Sequence, residues 1–188
     1  MSTEGDSERG PAGEQRRGPE RARSRAISAA VITCSDRSAA GLRADVSGEL
    51  AAELLAAAGQ EVLSRAVVRD DVADIRAAVS SALALGVDVV LTTGGTGLAP
   101  TDVTPEAVRP MLDREIPGIA EALRSGAAAR VPTSVLSRGV AGSIGRTLVV
   151  TLPGSTGGVR DGLAVLAPLF AHIIDQLAGG DHHPGGGV

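Results

Sequence analysis

The sequence of 188 residues contains no lysine, no tryptophan and no tyrosine, and it contains a single phenylalanine. Without lysine, the chain has neither the Gly-Lys-Ser/Thr phosphate loop of nucleotide hydrolases nor an amine for Schiff-base chemistry. Without a set of aromatic side chains, it has no platform on which single-stranded nucleic acid can stack. The formal net charge of −4 also argues against nucleic acid as a partner, because phosphate backbones attract basic surfaces.

Cysteine and long apolar runs are also scarce. The single cysteine, Cys34, rules out a disulfide within the chain and favours a reducing compartment, so we expect the protein to be cytoplasmic. No uninterrupted apolar run reaches ~18 residues, and the N-terminus lacks the apolar segment of a secretory signal. We therefore expect neither a transmembrane helix nor a membrane partner.

Composition divides the chain into a central region and two polar ends. Residues 1–25 mix charges with glycine and proline and carry almost no apolar side chains, which predicts a disordered tail. Residues 179–188 are rich in glycine and histidine and predict a flexible C-terminal tail. The region between them, residues 26–178, predicts one domain. A domain of about 150 residues buries roughly 70% of its unfolded surface and needs no disulfide or metal to fold.

Strand-like and helix-like patterns alternate along residues 26–178. Apolar β-branched runs predict strands, and apolar residues spaced by three or four predict helices that end near glycine. The predicted strands cover residues 27–35, 62–68, 87–92 and 147–152; the predicted helices lie at residues 46–57, 72–83 and 105–113, after Pro117, and at residues 159–177 with a kink at Pro168. This alternation predicts an α/β fold with a three-layer, open, mostly parallel sheet and helices on both faces.

A glycine-rich segment follows the third predicted strand. Residues 92–97 read Thr-Thr-Gly-Gly-Thr-Gly, and three glycines in four residues let the backbone turn sharply and approach an anion closely. Consecutive backbone N–H groups there are suited to phosphate. Asp102 follows five residues later, just before a helix start at Pro105, and a carboxylate beside a phosphate cradle is typical of a Mg²⁺ ligand. The alternative for Asp102 is a helix N-cap.

Polar residues follow the ends of all four predicted strands. Ser35 and Asp36 follow the first strand, Asp70 the second, the glycine segment the third, and residues 153–156 the last. In an open parallel sheet these ends share one edge, where ligands bind at the point at which the strand order reverses. One such loop alone is usually turn chemistry. Four converging loops predict a binding site.

Several motifs, in this order along the chain, resemble the MoaB/Mog family of molybdenum cofactor biosynthesis proteins. The motifs are Ser35-Asp36-Arg37-Ser38 with Gly41, Asp45-Val46-Ser47-Gly48, Thr93-Gly94-Gly95-Thr96-Gly97, Asp102-Val103-Thr104-Pro105-Glu106-Ala107, Arg114-Glu115-Ile116-Pro117-Gly118, Leu136-Ser137-Arg138 and Leu152-Pro153-Gly154-Ser155. The resemblance covers about residues 26–178 and implies a MoaB/Mog-like molybdopterin-binding domain.

Members of the Mog type adenylylate molybdopterin with MgATP and release pyrophosphate. The resemblance therefore implies a molybdopterin adenylyltransferase, a nucleotidyltransferase with ATP and molybdopterin as substrates, Mg²⁺ as cofactor, and Asp70 and Asp102 as catalytic residues and metal ligands. It places pterin or nucleotide binding at Ser35, Asp36, Thr93, Gly94, Gly95, Thr96, Gly97, Ser137, Pro153, Gly154 and Ser155. It also implies a homotrimer and names the molybdate-inserting enzyme as a candidate partner.

Some alternatives stay open. Asp70 and Asp71 precede an apolar helix, so either is a candidate helix cap, and Ser35, Asp36 and Ser137 are equally suited to stabilising turns. Thr101 stands where many family members have a basic residue, and residues 153–156 read Pro-Gly-Ser-Thr, as in the MoaB branch, some of whose members lack adenylylation activity. The rival functions are a non-catalytic pterin-binding or scaffold protein and a pyrophosphatase that processes dinucleotides on the same fold.

Two further expectations concern packing. Residues 110–129 carry apolar side chains beyond those that the βα alternation needs, and they predict either a segment that covers one sheet edge or an apolar patch that a trimer buries. Cys34 is expected to be a small buried residue, and His172 to be structural or exposed.

Overall fold

The computed structural model describes residues 25–179, and one mixed sheet organises them. Its strands are β1 (Ser28–Cys34), β2 (Glu61–Val68), β3 (Val89–Thr93), β4 (Arg114–Glu115), β5 (Ala141–Ile144) and β6 (Thr147–Leu152). The strand order is β2-β1-β3-β6-β5-β4. β1 pairs parallel with β2 and β3, and β3 pairs parallel with β6. β5 runs antiparallel to β6, and β4 runs antiparallel to β5.

Helices cover both faces of this sheet. They are α1 (Asp36–Ala39), α2 (Val46–Ala57), α3 (Val72–Ala84), α4 (Thr104–Val108), α5 (Pro117–Ala128), α6 (Thr156–Leu166) and α7 (Phe170–Leu177), with short 3₁₀ helices at Arg109–Met111, Pro132–Leu136 and Ala167–Leu169. This architecture confirms the predicted three-layer, open, mostly parallel α/β fold. The predicted kink at Pro168 is the 3₁₀ turn between α6 and α7, because proline lacks the N–H that a continuous helix needs.

The apolar side chains of the central strands divide into two layers. On one face, residues of β1, β3 and β6 pack against α2, α5, α6 and Phe170, the only aromatic residue of the chain. On the other face, the alternate residues of the same strands pack against α3 and α4. Every residue of β1, β3 and β6 is buried, which explains why these strands consist of apolar and small hydroxyl residues and carry no charge.

The sequence patterns did not predict β4, β5 or α1. β4 has two residues and α1 has four, so neither is long enough to show a periodicity. β5 contains a glycine, Gly142, at which a Cβ atom would meet the backbone of Arg114 on β4. Close approach of two backbones explains a glycine inside this strand.

Residues 110–129 cover the far edge of the sheet. They supply β4, which pairs with β5, and α5, whose Ile119 and Ala120 are buried. Leu112, Ile116 and Leu123 pack partly buried against the two apolar layers. The edge-covering alternative therefore accounts for the apolar content of this segment.

One helical stretch of the described residues, Thr156–Leu177, is long and apolar enough to cross a membrane by length and composition alone. The sequence predicts no transmembrane helix, because no uninterrupted apolar run reaches ~18 residues. In the structure, Val159, Leu163 and Phe170 of this stretch are buried against the sheet. Helices that pack one face against a protein core meet the same criteria, so length and composition alone do not identify a membrane span here.

The predicted tails lie almost entirely outside the described residues. Arg25, the last residue of the predicted N-terminal tail, is described and contacts the sheet. Its guanidinium donates hydrogen bonds of 2.8 and 2.5 Å to the two carboxylate oxygens of Asp88. The same carboxylate accepts hydrogen bonds from the backbone N–H and the hydroxyl of Ser28, so Arg25 belongs to a polar cluster at the edge where β1 begins.

Candidate functional site

The carboxyl ends of β1, β2, β3 and β6 lie side by side along one edge of the sheet. The chain leaves β1 towards α2 on one face and leaves β3 towards α4 on the opposite face. The strand order therefore reverses between β1 and β3, which is where open α/β sheets bind ligands. The predicted loops meet at this point: Gly94 lies against the carbonyl of Cys34, and a Cβ atom at Gly154 would stand 3.0 Å from the Cα of Gly94.

The glycine segment forms a tight loop that only glycine can make. Gly94 and Gly95 have φ angles of +99° and +61°, the left-handed region that other residues rarely adopt. The N–H of Gly94 donates to the carbonyl of Leu152 and is occupied. The N–H groups of Gly95, Thr96 and Gly97 donate to no other described residue. The predicted phosphate cradle is thus reduced to these three N–H groups.

Asp70 lies beneath this loop and is linked to Asp36. The carboxylate oxygen Oδ2 of Asp70 accepts a 3.0 Å hydrogen bond from the backbone N–H of Asp36, and Oδ1 of Asp36 accepts a 3.1 Å bond from the backbone N–H of Asp70. The other oxygen of Asp70, Oδ1, is buried and has no hydrogen-bond partner within residues 25–179. A Cβ atom at Gly95 would stand 3.1 Å from it.

The environment of Asp70 favours a cation. Burial raises the pKa of Asp70; the N–H of Asp36 opposes this rise, while the negative charges of Asp36 and Asp102 add to it. Two features disfavour an ionised Asp70 carboxylate that has no cation beside it. They are the nearby negative charges and the buried acceptor oxygen that has no donor. A positive ion at Oδ1 would relieve both penalties.

Asp102 lies against Gly97, the last glycine of the loop, where a Cβ atom would stand 2.8 Å from its Oδ2. Its Oδ2 accepts a 2.8 Å hydrogen bond from the N–H of Ala99, which closes a turn over residues 99–102. The N-cap position of α4 is Val103 and has no side-chain cap, so the helix-cap alternative for Asp102 is wrong. The cap of α3 is Asp71, whose Oδ1 accepts from Ala73 and Asp74, so Asp70 is free of capping too.

Arg138 holds the glycine loop and the Asp102 turn together. Its Nε donates to the carbonyl of Gly97 at 2.7 Å, its Nη2 donates to the carbonyl of Asp102 at 2.5 Å, and its Nη1 pairs with Glu106 on α4. Its backbone N–H donates to the carbonyl of Thr96 at 2.8 Å. Arg138 also lowers the pKa of Glu106. Four contacts from one residue fix the separation between the cradle and Asp102.

Two cavities flank the glycine loop. The larger, of about 280 Å³, lies between Thr96, the 3₁₀ segment Pro132–Leu136, Pro153 and the first turns of α6. The smaller, of about 150 Å³, lies between Ser35, Arg43, Gly94 and Gly154. The larger cavity has mostly apolar walls with a few hydroxyl and charged groups, as small-molecule sites commonly do.

Several predicted binding residues also have local structural roles. Ser35 caps α1 and Ser155 caps α6, since each hydroxyl accepts from an N–H three residues on. The hydroxyl of Thr93 donates to the carbonyl of Pro153 at 2.9 Å. The hydroxyl of Ser137 lies 3.4 Å from that of Thr96, and both residues line the larger cavity. All of the predicted site residues lie at this edge of the sheet.

The thiol of Cys34 lies below the site and is inert. Cys34 is buried, as predicted. Burial raises the pKa of the thiol to about 12; the neighbouring hydroxyl of Thr104 lowers it and the charge of Asp70 raises it further. A thiol with such a pKa stays protonated at neutral pH and does not act as a nucleophile.

The sequence of this chain is similar to those of known proteins, and the similarity identifies its family. A family model described as "Probable molybdopterin binding domain" matches residues 30–172. The molybdenum cofactor biosynthesis protein B of Staphylococcus carnosus is 41% identical over 158 residues, which cover 81% of this chain and 92% of that protein. The chain belongs to the MoaB/Mog family of molybdenum cofactor biosynthesis proteins.

Two further similarities define the extent of this MoaB/Mog domain. A crystal structure of a molybdopterin biosynthesis protein from Mycobacterium abscessus superposes with a TM-score of 0.77 and 51% identity, covering 81% of this chain and 97% of that one. The molybdenum cofactor biosynthesis bifunctional protein of Chlorobaculum tepidum is 37% identical over 153 residues, 81% of this chain and 49% of that protein. The chain therefore spans about half the length of that bifunctional relative.

The residues of the MoaB/Mog site fit Mg²⁺ better than a metal with a full protein cage. No cluster of three or more His, Cys, Asp or Glu suited to a metal occurs within residues 25–179. Mg²⁺ keeps several waters and is commonly held by one or two carboxylates plus substrate phosphates. Oδ1 of Asp70 and the remaining oxygen of Asp102 are hard oxygen donors of this kind. The donor set therefore fits the predicted ion.

Three residues at the MoaB/Mog site were not predicted to act in it. Thr104 lies against Gly95, and Arg138 and Asp161 reach the site from positions far along the chain. Arg138 belongs to the Leu136-Ser137-Arg138 family motif, which was the sequence signal for its role in the site. Asp161 lies inside α6, and no sequence motif pointed to it.

Proposed function

We propose that this protein adenylylates molybdopterin with MgATP and releases pyrophosphate. The observation that carries this proposal is the pairing of two carboxylates with a loop of unused N–H donors: Asp70, whose buried Oδ1 has no partner in the described chain, and Asp102 flank the N–H groups of Gly95, Thr96 and Gly97. Negative phosphate groups need both donors and a cation, and the site offers places for each.

The reaction needs positioning and charge neutralisation more than proton transfer. A terminal phosphate oxygen of molybdopterin attacks the α-phosphorus of ATP, a new phosphorus–oxygen bond forms, and the bond to the pyrophosphate leaving group breaks. The attacking phosphate is anionic at neutral pH, so no general base is required. Histidine is accordingly absent from the residues that line the two cavities within the described chain.

Each part of the site has a role in this scheme. The N–H groups of Gly95, Thr96 and Gly97 hold phosphate oxygens in line for displacement. Asp70 and Asp102 would hold Mg²⁺, which when bound neutralises charge on the triphosphate. Arg138 keeps the loop and Asp102 at a fixed separation. The larger cavity, with its mostly apolar walls, receives the pterin rings.

The decisive experiment is incubation of the protein with molybdopterin and MgATP, followed by chromatography for adenylyl-molybdopterin and an assay for pyrophosphate. We expect both products in equal amounts. Binding of molybdopterin without either product would instead identify the non-catalytic pterin-binding or scaffold alternative. Turnover of a dinucleotide without pterin would identify the pyrophosphatase alternative.

We further propose a cytoplasmic homotrimer that delivers its product to the molybdate-inserting enzyme. The adenylylated pterin is a reactive phosphoanhydride, so direct transfer to the next enzyme would protect it from water. Co-sedimentation of the two proteins in the presence and absence of adenylyl-molybdopterin tests this partner.

A further inference from the structure

The larger cavity contains one charged acceptor. Among the described residues that line it, Asp161 is the only carboxylate. The neighbouring lining residues on α6 are Gly157, Gly158 and Gly162, which have no side chains to stand between Asp161 and the cavity. A single carboxylate in a mostly apolar pocket is a feature that selects ligands, because a group that can donate to it gains a charge-assisted hydrogen bond there.

The position of Asp161 is fixed by its helix. α6 is anchored by Val159, Leu163 and Leu166, which are fully or almost fully buried, and by Ser155, which caps its first turn. Asp161 is therefore held on a rigid element, a requirement for selective recognition. Its Oδ1 accepts a hydrogen bond from the exposed guanidinium of Arg130. A carboxylate has about four acceptor positions, so acceptor capacity remains for a ligand.

The two heterocycles of the proposed reaction differ at the edges they present. The pterin ring carries a 2-amino group beside the N3–H, which gives two adjacent donors. The adenine ring carries a 6-amino group beside N1, which gives one donor and one acceptor. A carboxylate accepts both hydrogen bonds from the pterin edge, whereas N1 of adenine would face a negative oxygen.

We propose that Asp161 is the specificity-determining residue that binds the 2-amino and N3–H groups of the pterin in the larger cavity. This inference rests on the proposed function and goes further, because it names the residue that distinguishes the pterin from adenine in this cavity. It also gives Arg130 a role, because its guanidinium pairs with the carboxylate and orients it in the absence of ligand.

The test is a specificity switch with two small probes. Pterin and lumazine differ in that lumazine has a carbonyl in place of the 2-amino group. The chain has no tryptophan or tyrosine, so the fluorescence of either probe can be followed with little protein background. We expect the wild type to bind pterin at least about tenfold more tightly than lumazine, the scale of a hydrogen bond to a charged group.

Asp161→Asn should reverse this preference. The amide of asparagine offers one acceptor for N3–H and one donor for the 2-carbonyl of lumazine, and it presents a mismatched donor to the 2-amino group of pterin. We expect pterin affinity to fall at least about tenfold and lumazine affinity to rise. Glu115→Gln removes a carboxylate that pairs with Arg109 outside both cavities and should leave the two affinities unchanged.

Two further outcomes complete the test. Arg130→Gln should keep the preference for pterin, which would show that the carboxylate and not its ion pair is recognised. Unchanged preference in a folded Asp161→Asn protein would overturn the inference and leave Asp161 as a surface ion pair, even if adenylylation is observed. Failure of the wild type to bind either probe would overturn the cavity assignment in the proposed function, and the inference would fall with it.

Discussion

Asp70 is a residue whose placement costs stability. Its buried oxygen has no partner within the described chain, and burial together with the charges of Asp36 and Asp102 raises its pKa above the ordinary value of 3.8. Since the folded pKa exceeds the unfolded one, the folded protein holds this proton more tightly. The contribution of Asp70 to folding stability is therefore most favourable below pH 3.8. This contribution is lost as the pH rises through the pKa of Asp70 in the folded protein.

Asp70→Asn should accordingly produce a protein that is more stable and inactive. Asparagine keeps an oxygen for the N–H of Asp36 but carries no charge to repel Asp36 and Asp102. We expect a higher melting temperature than the wild type at pH 7 and a smaller difference near pH 4, measured by scanning calorimetry. Addition of MgATP should stabilise the wild type more than the variant, and a lower melting temperature of the variant at pH 7 would contradict the cation-site interpretation.

Asp102→Asn separates the metal-binding role from the role in the turn. The amide oxygen can still accept from the N–H of Ala99, so the turn over residues 99–102 should persist. Loss of the charge should reduce the rate of adenylylation at least ~10²-fold, the scale of removing a key electrostatic group. The readouts are single-turnover kinetics and the melting temperature. Near-normal turnover at a normal melting temperature would leave Asp102 with a structural role only.

The sequence predicted Asp70 and Asp102 because both follow strand ends or a glycine loop within a few residues. It left the cap alternatives open, since a carboxylate before a helix has the same appearance in either role. Only the side-chain partners distinguish them: Asp71, one residue on, caps α3. The contacts of Arg138 with Gly97 and of Asp161 with the cavity depend on how distant segments pack. The sequence marked Arg138 only through its motif and gave no signal for Asp161.

The glycine loop is an element whose backbone shape and surroundings both demand glycine. At Gly95, φ is +61°, and a Cβ atom would overlap the hydroxyl oxygen of Thr104 and crowd Oδ1 of Asp70. At Gly86, φ is +70°, but a Cβ atom would meet nothing within 4 Å. An alanine at either position would adopt a similar left-handed backbone, but only alanine at Gly95 would also meet neighbouring atoms. The two substitutions therefore form a matched pair that separates backbone strain from packing.

Gly86→Ala should therefore cost about 1–2 kcal/mol of unfolding free energy from left-handed strain alone and keep full activity. Gly95→Ala should cost more, because Thr104 and Asp70 must also move, and it should abolish adenylylation. Urea unfolding and the product assay measure the two effects. Equal stability and equal activity of the two variants would show that the space above Asp70 is not needed.

Among the secondary-structure elements, the sequence predicted the long segments with a clear pattern and did not predict the short ones. β1, β3 and β6 are buried on both faces and consist of apolar and small hydroxyl residues without a charge. β4 and β5 are short, antiparallel and held by backbone pairing, with Gly142 at the closest approach. Their existence depends on the edge of β6 being available, which is a property of the assembled sheet rather than of the local sequence.

Arg25 lies at the N-terminal boundary of the domain and stabilises the fold through its hydrogen bonds to Asp88. Burial raises the pKa of Asp88, but hydrogen bonds from Ser28 and Arg25 outweigh burial, and the net pKa lies below 3.8. This contribution to stability is present above pH 3.8 and is lost as the pH falls through the folded pKa. Arg25→Gln should therefore lower the melting temperature at pH 7, with a smaller difference near pH 3.

Deletions that end just before or at Arg25 test the same N-terminal boundary. Deletion of residues 2–24 removes a segment with almost no apolar side chains, so the melting temperature should stay within about a degree of the wild type. Deletion of residues 2–25 should reproduce the loss seen with Arg25→Gln. A large loss on deleting residues 2–24 would show that the tail docks on the domain or bridges subunits.

We expect a homotrimer, and light scattering at micromolar concentration should give three times the chain mass of 18.8 kDa. Within one chain, Asp70 and Asp102 already lie close enough for the charge of Asp102 to raise the pKa of Asp70. Each active site should therefore take both aspartates from the same subunit.

Mixing Asp70→Asn and Asp102→Asn proteins under conditions that exchange subunits tests this arrangement. Every site in a mixed trimer would then contain one altered aspartate, so the mixture should be as inactive as either variant alone. A matched mixture of wild type with Asp102→Asn should retain activity in proportion to the wild-type chains. Activity restored in the first mixture would mean that the two aspartates meet across a subunit interface, and a single-chain mass would refute the trimer itself.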